Sequence, residues 1–396
     1  MKPITPVTVS ACSTASAYGL GLDPLAQGLA ANRSALRAND LADTPLPCFI
    51  GRVPGIEDLP WPADWQPWDS RATRLAWLGL QGDGLLGAVQ AARQRHGAAR
   101  VGLVLGTSAA TIAVSEQAYR QLDADGRFPE TLRHPHLNTP HAVAAFVRQA
   151  LQLQGPALTV STACSSGAKA LAVAERWLRL GLVDAVLAGG VDALGGSLLH
   201  GFQALGVLSA RPCRPFDAAR HGISIGEAAA WLLLQRGGDG MRLAGYGESN
   251  DAHHMSSPHP QGLGAEQALD DALARAGIGA DGVDFVNLHG TASAANDEVE
   301  AALVARRYAA TVHACATKGL TGHTMGAAGA LEALVCVLAL QRGLLAGSGP
   351  TAQADPAFGP AFAERWKAHP AQRAIRSAAS HSFGFGGNNA VLVFTC

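Results

Sequence analysis

Cys164 stands in ALTVSTACSSGAKALAVAERWLRLG (residues 157–181), where a strand-forming run ends and a long helical pattern begins. A cysteine there has two readings. Free cysteine is often a small buried hydrophobe. It is also a nucleophile when unpaired N–H groups and the positive end of a helix dipole favour the thiolate and lower its pKa. The helical pattern ends at Gly181 and places Cys164 at its first turn. The small neighbours Ala163, Ser165, Ser166 and Gly167 leave room for a substrate. Cys164 alone does not choose between packing and chemistry.

Possible partners lie far along the chain. FVNLHGTASAAND puts His289 directly after an apolar strand, with Thr291 and Ser293 in the loop behind it. CATKGLTGHTMGAAGALEA puts Lys318 and His323 in a Gly-rich loop, ahead of a small-residue helix carrying Glu332. A histidine at a strand end either turns its ring into a cleft or is satisfied in the turn. Neither HACATKGLTGH nor DAHHMSSPHP matches a zinc spacing, so no metal is expected. SHSFGFGGNNAVLVFTC carries Gly384, Gly386 and Gly387, without the Lys and following helix of a phosphate loop. It reads as a turn aiming a backbone N–H at an oxyanion, or as a plain hairpin turn.

These residues need a scaffold. Apolar runs alternate with helical patterns: PVTVSAC, RVGLVLGTS, ALTVSTAC, DAVLAGGVDAL and AAAWLLLQ, then VDFVNLHG, VHACATKG and AVLVFTC. Continuous apolar strands between helices imply an α/β protein whose sheet is covered on both faces. Both halves contain a strand, a small-residue turn and a helix. A duplicated fold is therefore expected, with its seam in QRGGDGMRLAGYG (235–247) and halves of 1–237 and 238–396. Residues 39–75 and 350–370 are rich in turn-formers and read as irregular surface excursions.

Composition limits the alternatives. The 396 residues are 48% hydrophobic and 15% charged, which suits a large interior or a buried interface. Net charge is −1 without a basic tract, so neither nucleic acid nor an anionic membrane is an expected partner. Seven scattered cysteines without C-x-x-C favour a reduced, cytoplasmic protein. The apolar segments are interrupted before the roughly 20 residues of a membrane helix. The N-terminal PITPVTVSAC reads as a first buried strand, not a leader peptide.

Taken in order, TACSSG, HGT, TKGLTGHTMGAAG and SFGFGGNN resemble the β-ketoacyl-acyl carrier protein synthases of the elongating, two-histidine class. RPFDAARHGISIGEAA and DAHHMSSPHPQGLGA are similar to the same family, so the resemblance covers nearly the whole chain. It implies the thiolase fold, two similar βαβαβαββ halves in five layers, αβαβα, working as a dimer. It implies Cys164, His289, Lys318 and His323 as catalytic residues, with Glu332 and Asp297 on matching acidic positions. Lys318 and Glu332 are expected to hold His323. Phe385 would offer an oxyanion N–H and act as a gate. Thr291, Ser293, Phe383, Phe202 and Ala109 would contact substrate. No cofactor is implied beyond the phosphopantetheine of an acyl carrier protein, the expected partner.

The chain also departs from the family. HGTASAAND replaces the usual HGTGTP-ND, and loss of the proline is expected to loosen this loop. Gly319, His221 and His381 stand where serine, aspartate and asparagine are usual. No catalytic group is lost, so the departures point to a divergent secondary-pathway branch of the aryl-polyene type. Ala109, in place of a bulkier residue, suggests a deeper acyl pocket. Arg71, Arg74, Arg211 and Arg214 are the expected basic rim for an acidic carrier. Three alternatives remain. The catalytic half of a ketosynthase/chain-length-factor heterodimer fits every motif. A thiolase would need a cysteine in the FGFGG turn. An initiating synthase would carry Asn in place of the second histidine.

Overall fold

The computed structural model describes residues 3–130 and 135–396. Its first half contributes strands β1 (Val7–Ser16), β2 (Val101–Gly106), β3 (Ala157–Val160), β4 (Ala185–Asp192) and β5 (Ala228–Arg236). Its second half contributes β6 (Arg242–Asn250), β7 (Phe285–Asn287), β8 (His313–Cys315), β9 (Ser377–Gly384) and β10 (Asn388–Thr395). The spatial order is β3-β2-β4-β5-β1 in one half and β8-β7-β9-β10-β6 in the other. Numbered within each half, both orders are 3-2-4-5-1. The strand senses match too. The fifth strand is antiparallel to its neighbours, and the strands beyond the fourth run parallel to it. The two sets meet where β1 pairs with β6, Val7 opposite Leu243 and Thr8 opposite Arg242.

Side-chain alternation explains the layers. Successive strand residues face opposite sides. Leu103 and Leu105 join an outer core with Leu75, Val143, Phe146 and Trp231, under α1 (Arg71–Leu80), α2 (Leu85–His96) and α3 (Ala142–Ala150). Val104 between them faces the central core. That core is filled by α4 (Ser166–Arg179) and by a later helix over Ala328–Arg342. In the second half Leu392 and Phe394 face this centre. Val391 and Val393 face a second outer core under α5 (Leu263–Ala276) and α6 (Ala294–Arg307). The helix α7 (Ala328–Arg342) is buried all round from Ala328 to Ala339, as a central helix must be. The span Met325–Arg342 is long and apolar enough to cross a membrane by composition, and 89% of it is covered within the protein.

Three expectations change. The seam shrinks to the short link between Arg236 and Arg242, because β6 is a central strand. Residues 39–75 are anchored by aromatic packing. Trp61 lies 5.2 Å from Phe146 and Trp65 4.8 Å from Trp77, while Val53 and Ile56 are buried and α1 begins at Arg71. Residues 350–370 likewise supply Phe362 and Trp366, which pack 5.1 and 4.9 Å from Phe216.

One feature of the centre brings the site together. A Cβ on Gly167 would lie 2.8 Å from the Ala330 nitrogen, and one on Gly329 would lie 2.6 Å from the Ala168 nitrogen. Only glycine permits this reciprocal approach of the α4 and α7 starts. The residues just ahead of each start are thereby forced together.

Candidate active site

Cys164 lies one residue ahead of Ser165, the N-cap of α4, and so just outside the first turn where it was expected. The turn is strained: Ala163 has φ of 52°. It is over-determined by Ser166, whose hydroxyl accepts from Thr162 N–H at 2.9 Å and donates to the Ala163 carbonyl at 2.6 Å. His289 follows β7, and Lys318 and His323 follow β8. These are the carboxyl ends of parallel strands, where α/β sheets build their sites. His323 is stitched to the first half: its N–H donates to Ser224 O at 2.7 Å and its carbonyl accepts from Gly226 N–H at 2.9 Å.

His323 Nε2 is 2.9 Å from Cys164 Sγ. Met325 N–H donates to His323 Nδ1 at 3.2 Å, which leaves the ring proton on Nε2, facing the sulfur. Lys318 Nζ reaches His289 Nδ1 at 3.2 Å and its carbonyl at 2.5 Å, which fixes the same tautomer on His289. The two rings are perpendicular, with centroids 5.4 Å apart. A ligating atom from each of Cys164, His289 and His323 lies within 4.8 Å of the other two. Three such groups could hold a metal. With Nδ1 of each ring engaged from behind, however, each Nε2 presents a proton, and the trio is better suited to stabilise negative charge.

Burial pushes both histidines well below the ordinary imidazole range, and the Lys318 charge adds to this. They are therefore neutral donors near pH 7. Burial pushes the Cys164 thiol up to about 11; Lys318 and the N–H groups of Phe385 and Cys164 oppose this. Burial outweighs these opposing groups, so the thiol lies above its ordinary range, where the helix start alone predicts it below. Alkylation of Cys164 by iodoacetamide should accordingly climb about tenfold per pH unit from pH 7 to 9.5, in proportion to the thiolate fraction. A plateau near pH 7, in a variant lacking the exposed Cys396, would contradict it.

Lys318 forms a tight buried ion pair with Glu332, whose carboxyl burial raises to about 7 against the opposing Lys318 charge. The expectation that this pair holds His323 is wrong. Its geometry serves His289, and Met325 N–H orients His323. Asp297 lies outside the cavity and fixes its rim. It accepts from Phe216 N–H at 2.6 Å and Ala292 N–H at 3.2 Å. Thr291 and Ser293 line the cavity with their hydroxyls 2.9 Å apart. The loop expected to be loose is thus tied down. Ala292 within it has φ of 66°. Ala292→Gly should stabilise the protein by about 0.5–1 kcal/mol by removing left-handed strain. An unchanged urea midpoint would show the strain to be negligible.

The cavity measures about 510 Å³ and is also lined by Phe202, Phe383 and Phe385. Phe202 and Phe385 face each other across 6.0 Å. The Phe385–Gly387 turn joins β9 and β10, an antiparallel hairpin, and presents the Phe385 N–H to the Cys164 sulfur. Ala109 does not line this cavity. Its N–H donates to Asp192 at 2.9 Å, in a loop pinned by that buried carboxylate. Arg71 and Arg74 are no basic rim. Arg71 pairs with buried Glu227 and with Glu57. Arg74 pairs with Asp69 and stacks 5.2 Å over Trp61. Arg211 and Arg214 are exposed. Sequence reasoning missed Glu300, whose carboxylate accepts from both His289 and Gly290 N–H at 2.8 Å. It sits three residues beyond Asp297, one helical turn along α6, and that spacing was its only sign.

A duplicated 3-2-4-5-1 sheet around two central helices, with its site at the junction of the halves, is the thiolase fold. Residues 72–239 match the β-ketoacyl synthase N-terminal domain and residues 241–351 the β-ketoacyl synthase C-terminal domain. The chain belongs to the β-ketoacyl synthase family. It is 35% identical over 309 residues to nodulation protein E of Rhizobium meliloti strain 1021, covering 75% of this chain and 76% of that one. It is 35% identical over 265 residues to the mitochondrial 3-oxoacyl-[acyl-carrier-protein] synthase of Arabidopsis thaliana, covering 61% and 56%. A structure of the ketosynthase ApeO with its chain length factor ApeC, from Xenorhabdus doucetiae, superposes with a TM-score of 0.89. The identity there is 34%, over 99% of this chain and 98% of that one.

Proposed function

We propose that the protein condenses a malonyl thioester with an acyl chain held on Cys164, both delivered by acyl carrier protein on phosphopantetheine. The observation that carries this is the pair of neutral histidines, each with Nδ1 engaged from behind, meeting at the Cys164 sulfur. First, Cys164 attacks the acyl thioester. A bond forms between Sγ and the carbonyl carbon, the carrier thiol leaves, and the thiol proton goes to the departing sulfur. Backbone N–H groups of Cys164 and Phe385 receive the tetrahedral oxyanion. Malonyl thioester then loses carbon dioxide, and the bond electrons become an enolate. Its oxygen accepts from Nε2–H of His289 and His323. The enolate carbon attacks the Cys164 acyl group, a C–C bond forms, and the sulfur leaves and regains a proton from solvent.

Lys318 and Glu332 support His289. Asp297 holds the rim, Thr291 and Ser293 meet the incoming malonyl arm, and Phe202, Phe383 and Phe385 enclose the acyl chain. We assign the halves as 1–237 and 238–396, no metal or other cofactor, and a cytoplasmic location. Of the four arginines expected to meet an acidic carrier, Arg211 and Arg214 keep that role, and Arg211→Glu/Arg214→Glu should raise KM for it without changing kcat. An unchanged KM at low salt would remove them from that role. The main test is intact mass of the protein after incubation with a panel of acyl-carrier donors. An acyl adduct on Cys164, released by malonyl-carrier protein as a 3-oxoacyl product, is expected. A folded protein that accepts no acyl group would end the proposal.

The similarity to a ketosynthase in complex with its chain length factor favours a second quaternary reading. In it, this chain is the catalytic member of a heterodimer serving polyene or polyketide synthesis. Size exclusion of the protein expressed alone separates the two: a stable active dimer excludes the heterodimer, and an inactive monomer supports it.

A further inference from the structure

We propose that His381 is a positioning residue for His289, acting through Glu300 and itself held by Tyr308; this rests on the condensation reading above and adds residues to it. His381 Nδ1 is 3.0 Å from Glu300 Oε1, and the Tyr308 hydroxyl is 2.7 Å from His381 Nε2. His381 and Glu300 are fully buried, and Tyr308 is 2% exposed. One proton arrangement satisfies all three. Tyr308 O–H donates to Nε2, so Nδ1 carries the imidazole proton and donates to an ionised Glu300.

The same carboxylate takes His289 N–H on Oε1 and Gly290 N–H on Oε2. Glu300 therefore holds both peptide groups of the turn that carries the His289 ring. Gly290 has φ of 39°, so the chain bends sharply at that point. The last torsion of a glutamate is broad and sets the carboxylate plane poorly by itself. The Nδ1–H of His381 supplies an added donor on Oε1, from a side chain that cannot move: its ring is packed 5.2 Å from Phe383 and bonded at its far nitrogen. Lys318 fixes the tautomer of His289. Glu300, locked by His381, fixes where the backbone puts the ring.

The chain of contacts ends at His289. Loading of Cys164 draws on His323 and the Phe385 N–H, neither of which Glu300 touches, whereas decarboxylation draws on His289. His381 variants should therefore separate the two half-reactions, which a general loss of structure would not. The test uses the full chain as His381→Ala, His381→Asn and Tyr308→Phe. Loading is followed by intact mass with a donor that loads the wild type. Carbon dioxide release from malonyl-carrier protein is then measured on the pre-acylated enzyme. Expected is loading within about twofold of wild type, with release slowed roughly 10- to 100-fold in His381→Ala, the scale of a small misplacement of a catalytic group. Tyr308→Phe should lose less, and His381→Asn should recover part, since its amide can donate to Glu300. Equal losses in both steps, or no loss in release, would overturn the proposal. If His381→Ala does not fold, the other two variants decide by the same comparison. A wild-type protein that no donor loads would instead remove the condensation reading itself.

Discussion

Replacing His323 by Ala should slow both the loading of Cys164 and the condensation, whereas replacing His289 should spare loading. The asymmetry follows from position. His323 Nε2 faces Sγ at 2.9 Å, so its proton stabilises the sulfur as it gains charge, both on attack and on departure. His289 is tied to Lys318 and turns its Nε2 to the same space without a hydrogen bond to the sulfur. Both would donate to the enolate oxygen. Losing one such donor costs about 2.7–4 kcal/mol, or roughly 10²–10³ in rate. Condensation should thus fall by that factor in either variant, while single-turnover loading falls only in His323→Ala. Burial holds both rings neutral, so the effect should persist unchanged from pH 6 to 8. Identical loading rates in the two variants would show that His323 does not act on the sulfur.

The catalytic set was legible because each member sits beside a feature that sequence displays: a strand end, a glycine, a run of small residues. Cys164 and His289 follow apolar runs, and His323 sits in a Gly-rich loop just ahead of a small-residue helix. What the sequence hid was pairing across the two halves. Lys318 lies five residues from His323 and was read as its support, yet it reaches back to His289, 29 positions away, because β7 and β8 are adjacent parallel strands. Glu300 and Tyr308 look like ordinary polar positions on α6 and beyond until burial shows what they hold. Arg71 misled for the opposite reason. An arginine looks like a free surface charge in sequence, and here it neutralises Glu227, a carboxylate buried beneath it. β6 was missed because AGYG puts two glycines in a strand, and the packing that excuses them is visible only in space. A Cβ on Gly247 would run into the Ala268 carbonyl of α5.

Lys318→Met should be the most damaging single change to stability, and it should remove activity for a separate reason. Lys318 and Glu332 are both buried, and Glu332 would be left with its charge uncompensated. Removing one partner of such a pair costs about 3–5 kcal/mol, whereas replacing both by apolar groups of similar volume is often neutral. The double variant Lys318→Met/Glu332→Leu should therefore recover most of the stability. It should not recover condensation. Without Lys318, nothing donates to His289 Nδ1, so the proton is free to sit there. The bare Nε2 lone pair would then face the enolate oxygen and repel it. The pH dependence has a definite sign. Burial raises the Glu332 carboxyl to about 7 even with Lys318 present, above the ordinary carboxylate range, and losing the lysine raises it further. A group with a raised folded pKa contributes its stability below its unfolded pKa and loses it as pH rises toward the folded value. Lys318→Met should accordingly be closest to wild type near pH 5 and fall behind as pH approaches 8, as read from urea midpoints at both pH values. A double variant that regains condensation along with stability would show that Lys318 acts only as a structural counter-charge and has no part in setting the His289 tautomer.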